Sequence, residues 1–473
     1  MVFSSLPFLL YFLPCLLVLY YITPQKFRSV RNLILLAFSL YFYRWGGEKF
    51  LMLMLISICI NYIGGLLCAS GKAFVRKAGL IFALATGIGL LGYFKYAGFF
   101  TEIANSLFPS VEIISVVLPI GISFYTFQGL SYVIDVYLDP SLVQKNPLKI
   151  ALYVSLFPQL VAGPIVRYSD VADEISDRHE SFELLSDGCV RFMLGLGKKM
   201  ILANTAGKIA DFVFDTVPQD QLSVTLAWVG ALGYTAQIYF DFSAYSDMAI
   251  GLGKMFGFHF LENFNYPYIA KSVTEFWRRW HMSLSSWFRD YLYIPLGGNR
   301  CSPARHIFNI LIVWLATGFW HGASWNFIVW GLYFALLLLC EKYLTGKLIE
   351  KLPSFFGHFL TMISVIISWV IFRAADLHTA LNHLGAMFFI NSDGFISGET
   401  IYLLRQYFPE WILFVVASLP ITVFVRKKLG ASESKASRIV LDWGSKLFAL
   451  AVFAFSYIMM VSDSFNPFIY FRF

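Results

Sequence analysis

Phe-Leu-Met-Leu-Met-Leu-Ile-Ser-Ile-Cys-Ile-Asn-Tyr-Ile-Gly-Gly-Leu-Leu-Cys-Ala-Ser (50–70) runs for twenty-one residues without a charge. A helix of about 20 apolar residues crosses the hydrocarbon core of a bilayer, so this stretch reads as a transmembrane helix. Working outward, comparable runs occupy 3–22, 78–98, 111–133, 226–250, 307–320 continuing into 325–341, 359–373, 411–425 and 446–462. The stretches 32–43, 147–163 and 189–210 are shorter or more polar and suit tilted, re-entrant or internally packed helices. The expectation is an all-α, polytopic integral membrane protein of about eleven crossings. Short re-entrant or interfacial helices accompany them, and residues 1–473 form a single membrane-embedded domain.

Composition agrees. Of 473 residues, 58% are hydrophobic, 18% aromatic and only 14% charged, where a soluble chain carries about a quarter charged. The net charge of +7 sits in short basic clusters between apolar runs, which is the pattern of cytoplasmic loops and no sign of nucleic-acid binding. The six cysteines are scattered without a Cys-x-x-Cys pair and read as small hydrophobes. The opening residues lack a positive n-region and a cleavage site, so they read as a retained first helix with Lys26, Arg28 and Arg31 behind it. No repeat at fixed spacing appears, which weakens an inverted-repeat transporter.

Three polar stretches stand apart. Residues 167–191 form an acidic, helical loop outside the lipid core, and 426–438 a basic one. In 262–305, aromatic and basic residues interleave and Pro and Gly clusters at 265–267, 294–299 and 302–303 break helices. That composition predicts short amphipathic helices in or dipping into the membrane, with Lys271, Arg278, Arg279 and Arg289 reaching phosphate or water.

Two histidines lie in this apolar context: His281 in Phe-Trp-Arg-Arg-Trp-His (276–281) and His321 in Gly-Phe-Trp-His-Gly (318–322). An ionisable side chain at membrane depth is costly without a partner or a task, and imidazole moves protons near neutral pH. Gly318 and Gly322 offer a small-residue face beside Trp320 and His321, where a neighbouring helix or a substrate chain approaches closely. The bland reading of each histidine is a hydrogen-bonded helix interface or an interfacial anchor. A helical spacing puts Trp277 and His281 on one face, with Glu275, Arg278 and Arg279 balancing charge and Trp280 beside them.

Asp241 and Asp247 lie in an otherwise apolar helix, with Tyr245 one turn after Asp241. At 3.6 residues per turn the two carboxylates point apart, which suits joining helices or orienting a histidine more than acid/base chemistry. Asp135 carries the same reading beside a helix end. No metal site, phosphate loop or serine elbow is present in the sequence.

Taken together, several stretches resemble the membrane-bound O-acyltransferase (MBOAT) family, in its AlgI-like branch of bacterial alginate O-acetyltransferase subunits. They are Met-Val-Phe-Ser-Ser (1–5), Leu-Pro-Ile-Gly-Ile-Ser-Phe-Tyr-Thr-Phe (118–127), Tyr-Phe-Asp-Phe-Ser-Ala-Tyr-Ser-Asp-Met-Ala-Ile-Gly (239–251), Glu-Phe-Trp-Arg-Arg-Trp-His-Met-Ser-Leu-Ser (275–285), Trp-His-Gly-Ala-Ser-Trp (320–325) and Phe-Ile-Tyr-Phe (468–471). The resemblance implies a many-helix bundle with a funnel converging on His321 as catalytic histidine and His281 as second polar position. Trp320, Gly318, Gly322, Glu275, Arg278, Arg279, Trp280, Asp241, Tyr245, Asp247 and Asn299 are then supporting or channel residues. It also implies transfer of an acyl group, acetyl above all, onto a secreted or cell-wall polysaccharide at the cell membrane. No cofactor is bound in that scheme; the donor is acetyl-CoA or another acyl thioester, and an extracytoplasmic serine-hydrolase-like (SGNH-type) partner finishes the transfer. D-alanyl transfer to teichoic acid and a proton-coupled transporter or flippase remain as alternatives.

The basic loops 23–31, 71–77 and 426–438 should be cytoplasmic, because Lys and Arg resist translocation. Cysteines introduced in 71–77 should therefore react with an impermeant reagent only after the cytoplasmic side is opened. Labelling from outside alone would reverse the orientation.

Overall fold

The computed structural model describes residues 1–349, 351, 353–430, 435–462 and 467–469; the remainder of the expected basic stretch 426–438, residues 431–434, lies outside the described residues. Among the described residues every regular element is helical. Five helices are long and apolar enough to cross a membrane: Glu48–Cys68, Ala73–Leu107, Trp325–Thr345, Ser354–Arg373 and Asp442–Ser462, with Phe8–Ile22 and Phe408–Ser418 as shorter apolar ones. The expected run 226–250 forms one helix, Val224–Met255. At 1.5 Å per residue its 32 residues reach about 48 Å. Gln237, Asp241, Ser243 and Ser246 dilute its apolar character, and all four are buried.

Two expected spans are broken. The run 111–133 is helical only from Ile122. Before it, Pro119 cannot join a helix interior and Gly121 takes a left-handed φ of 75°, so 111–121 carries no helix and ends in a turn at 120–121. The run 411–425 stops at Ser418 and resumes at Ile421, because Pro420 removes a backbone donor and disfavours helical geometry at Leu419. The segment 262–305 is a series of short helices, Pro267–Ile269, Val273–Trp277, Met282–Phe288 and Arg289–Tyr293, as its Pro and Gly clusters require.

The chain divides into two compact units, Met1–Phe192 with Tyr245–Leu261, and Met193–Ala244 with Glu262–Phe473. In the first, Glu48–Cys68 and Ala73–Leu107 pack so closely that a Cβ on Gly79 would lie 2.5 Å from Leu67 Cβ, and one on Gly64 would lie 2.9 Å from Ala83 Cβ. Phe3, Phe8, Phe12, Phe42 and Phe157 form its aromatic core, with ring centroids such as Phe12–Phe157 at 5.3 Å. The second unit is centred on Trp277, Trp280, Trp314, Trp330 and Trp369, all buried.

The acidic loop after Tyr168–Ser176 is fastened by one carboxylate. Glu180 accepts from the Tyr20 hydroxyl at 2.5 Å and pairs with Arg28, while Arg31 Nη1 and Arg178 Nε lie 3.2 and 3.6 Å away. Arg178 also donates to Asn32 Oδ1 at 2.7 Å and to the Phe256 carbonyl at 2.8 Å. Burial pushes the Glu180 carboxyl up, but hydrogen bonds from Arg28 and Tyr20 and the charges of Arg28 and Arg178 outweigh it, holding the group below the ordinary carboxylate range. A depressed folded-state value contributes stability above the unfolded pKa, about 4.3 for glutamate, and that contribution fades as pH falls through the folded value. Glu180→Gln should therefore melt below wild type at neutral pH, and the gap should begin to narrow as the pH falls below about 4.3 and shrink further as it passes through the lower folded-state value. Thermal unfolding across pH in detergent measures it.

Candidate functional site

His321 is the last residue of the Pro303–His321 helix. That helix starts where Ser302 Oγ accepts from Arg305 N at 3.4 Å with Pro303 in the first turn, a favourable start. It ends because Gly322 takes an extended conformation, φ −170° and ψ 162°. The neighbouring helix Trp325–Cys340 crosses it at glycines. A Cβ on Gly318 would sit 2.3 Å from Phe327 O, and one on Gly331 would sit 2.4 Å from Trp314 O. A Cβ on Gly322 would strike the Phe327 ring at 2.1 Å. The close approach expected at Gly318 and Gly322 is thus made by Phe327 and its helix. It holds His321 against rings: Trp320 at 5.0 Å, Trp330 at 5.0 Å and Phe372 at 5.2 Å, all near perpendicular.

His281 arrives by a different route. Ser272 Oγ caps Val273–Trp277 by accepting from Glu275 N at 3.0 Å, and the Glu341 carboxylate accepts from Val273 N at 2.7 Å and Thr274 N at 3.2 Å. Glu275 takes Lys271 N at 2.9 Å and forms an ion pair with Arg279 at 2.8 Å. The helix then stops, and His281 adopts a left-handed φ of 43° and ψ of 53° ahead of Met282–Phe288. The expected shared face of Trp277 and His281 is therefore absent, since no continuous helix joins them. Trp277 instead packs on Trp314 at 4.6 Å and Phe334 at 4.9 Å. Left-handed backbone at a non-glycine costs of order 1–3 kcal/mol, and the contacts of its imidazole hold it there.

Those contacts centre on Asn263. Its Oδ1 lies 3.2 Å from His281 Nδ1, 2.9 Å from Ser283 Oγ and 3.2 Å from Ser283 N. Met282 N donates to the Asn263 carbonyl at 3.0 Å. The His281 ring stands edge-on to Phe242 at 4.6 Å and lies 5.9 Å from Trp320. Trp320 thus touches both histidines, which are 1% and 8% exposed. Trp280 closes the floor, 4.8 Å from Trp369 and 5.0 Å from Phe264. Two buried imidazoles flanking one indole can pass a proton to and from a bound hydroxyl, thiol or amide in a site lined by rings.

The other sequence candidates have different tasks. Asp241 is buried and accepts from Lys199 Nζ at 2.6 Å and from the backbone N of Ile469 at 2.6 Å. Lys199 also donates to the Pro467 carbonyl at 3.2 Å. The aspartate therefore fastens the closing segment, as a helix-joining carboxylate should. Asp247 takes Arg191 at 2.8 Å, and Tyr245 stacks on Phe3 at 4.8 Å. Asp135 accepts from Ser169 Oγ at 3.4 Å near the end of Ile122–Leu138. Arg278 and Asn299 are exposed. Sequence reading missed Asn263, Ser283, Lys199, Glu341 and Phe372. Only Asn263, a polar residue among aromatics in Asn-Phe-Asn-Tyr-Pro (263–267), carried a signal that could have been followed.

With this geometry in hand, comparison with known proteins gives a consistent picture. A family model described as the membrane-bound O-acyltransferase family matches residues 141–378. The chain is 39% identical to the Pseudomonas putida protein named "Probable alginate O-acetylase AlgI", with both chains covered in full. It is 33% identical to the peptidoglycan O-acetyltransferase of Helicobacter pylori over 92% of this chain and 90% of that one. The teichoic acid D-alanyltransferase of Bacillus subtilis is more distant, at 30% over 66% of this chain and 82% of its own length.

Removing one partner of a buried ion pair leaves an uncompensated charge, at a cost of about 3–5 kcal/mol, whereas replacing both by apolar residues is often close to neutral. Lys199→Ala should therefore destabilise the protein strongly, and the double change Lys199→Met with Asp241→Leu should recover part of the loss, the rest reflecting the Ile469 N–H and the Pro467 carbonyl that lose their side-chain partners. Melting curves of the three proteins decide it.

Proposed function

The chain belongs to the membrane-bound O-acyltransferase family, and on that premise we propose that it moves an acetyl group from a cytoplasmic thioester, such as acetyl-CoA, toward hydroxyls of a secreted or cell-wall polysaccharide. The observation that carries the reading is the pair of buried histidines touching one indole, Trp320. The names of the Pseudomonas putida and Helicobacter pylori relatives support acetyl as the group and a polysaccharide as its destination. D-alanyl transfer has the weaker support, because that relative shares less of the chain.

In this reading His321 is the general base. A neutral imidazole takes the proton of the attacking hydroxyl as its oxygen bonds to the thioester carbonyl carbon. The carbon–sulfur bond then breaks and the thiolate leaves, taking up a proton. His281 holds a substrate group on the other side of Trp320. Trp320 and Trp280 keep water from the thioester, while Gly318 and Gly322 let the helix crossing set the position of His321. Lys271, Arg278, Arg289, Arg300 and Arg305 are exposed along 262–305 and suit the phosphates of the donor at a cytoplasmic entrance. The setting is the inner or plasma membrane, and an extracytoplasmic serine-hydrolase-like protein receives the acyl group before the polymer.

His321→Ala should lower acyl transfer by about 10²–10⁴-fold while protein level and helix content stay near wild type, since the change adds no buried charge and no bulk beside Gly318 and Gly322. Acetyl analysis of the envelope polymer in cells carrying each form reads the effect. A folded His321→Ala protein that acetylates at the wild-type rate eliminates the base assignment.

A further inference from the structure

The hydrogen bonds around Asn263 decide which nitrogen of His281 carries the proton. A backbone N–H can only donate, and Ser283 N donates to the Asn263 side chain at 3.2 Å, so the atom facing it is the amide oxygen. His281 Nδ1 faces that same oxygen at 3.2 Å. Two lone pairs at that distance repel, so Nδ1 carries hydrogen and donates. Ser283 Oγ donates to the oxygen as well, at 2.9 Å. In a neutral imidazole the remaining nitrogen, Nε2, then has a bare lone pair. Nε2 is buried and makes no hydrogen bond among the described residues.

A buried acceptor without a donor is expensive unless a ligand supplies one. Here the backbone at His281 is also held left-handed, φ 43°, so both strain and desolvation are spent on aiming one imidazole. We infer that Asn263 is a positioning residue for His281: its side-chain oxygen holds the Nδ1–H tautomer, so that Nε2 accepts a hydrogen bond from an N–H or O–H of a substrate. The inference rests on the acyl-transfer reading for what that substrate is. The donor group is an amide N–H of the thioester's arm or a hydroxyl of the acceptor other than the one His321 deprotonates. It follows that His281 in this form cannot stabilise an oxyanion through Nε2, a role that needs a hydrogen on that atom.

The test uses the full-length protein in detergent or bilayer with isotope-labelled histidine, the His281→Gln protein serving to assign the signals. Nitrogen NMR of wild type at neutral pH should show His281 with Nδ1 protonated and Nε2 bare. Asn263→Leu, which removes the oxygen but keeps the size, should lose that preference and raise KM by about tenfold or more, with a smaller change in kcat. Asn263→Asp, which keeps an acceptor oxygen, should retain the tautomer and most of the affinity. A rise in KM for acetyl-CoA assigns the amide of the donor, and a rise for the serine-hydrolase-like acceptor protein assigns a hydroxyl. Protonated Nε2 in wild type, or unchanged kinetics in folded Asn263→Leu, overturns the inference. If Asn263→Leu fails to fold, the wild-type spectrum still decides. A wild-type protein that consumes no thioester overturns the acyl-transfer reading, and the substrate half of this inference with it, whatever the tautomer.

Discussion

A polar group taken out of water must find its partner inside the chain, because leaving it unpaired in an apolar interior costs several kcal/mol. Much of this structure is arranged by that constraint. Lys199 and Asp241 satisfy each other and, through the aspartate's second oxygen, a backbone N–H of the closing segment. Glu180 gathers Tyr20 and its arginines. Glu341 receives the first backbone donors of Val273–Trp277, which would otherwise be orphaned at a helix start. His281 Nε2, buried and without a hydrogen bond among the described residues, sits in the ring-lined site beside Trp320, and a polar atom left open in such a place marks where a ligand belongs.

The membrane-length helices were the most legible part of the sequence, because an apolar run of sufficient length has few alternatives. Glu48–Cys68 and Ser354–Arg373 fall close to where their runs begin and end. Legibility failed where a local backbone preference cut through an apolar run. Pro119 with Gly121 and Pro420 each divided a stretch that hydropathy alone had joined. The left-handed turn at His281 did the same on a smaller scale and separated it from Trp277.

For the site, the residue types were readable and their partners were not. An intramembrane histidine stands out by its cost, so His281 and His321 could be picked from composition and context. Gly318 and Gly322 announced a close approach, but nothing in their spacing named Phe327 as the group that makes it. Asn263 lies eighteen residues before His281, beyond the reach of helical periodicity, and Lys199 sits in a Lys-Lys pair that reads as a solvated charge. Both owe their roles to tertiary folding. Family resemblance brought the chemistry within reach, whereas the tasks of Asp241 and Glu180 come from partners far away in the chain.

The central claim is that this chain breaks and forms covalent bonds at a membrane-embedded histidine site and does not merely carry a solute across. The most direct measurement places the purified protein in proteoliposomes with acetyl-labelled coenzyme A on the cytoplasmic side and polysaccharide with its acceptor partner on the other. The account predicts that free thiol is released on the donor side in step with acetyl ester on the far side, with no thioester crossing. Intact labelled thioester on the far side, without thiol release, would contradict it and leave the chain a transporter.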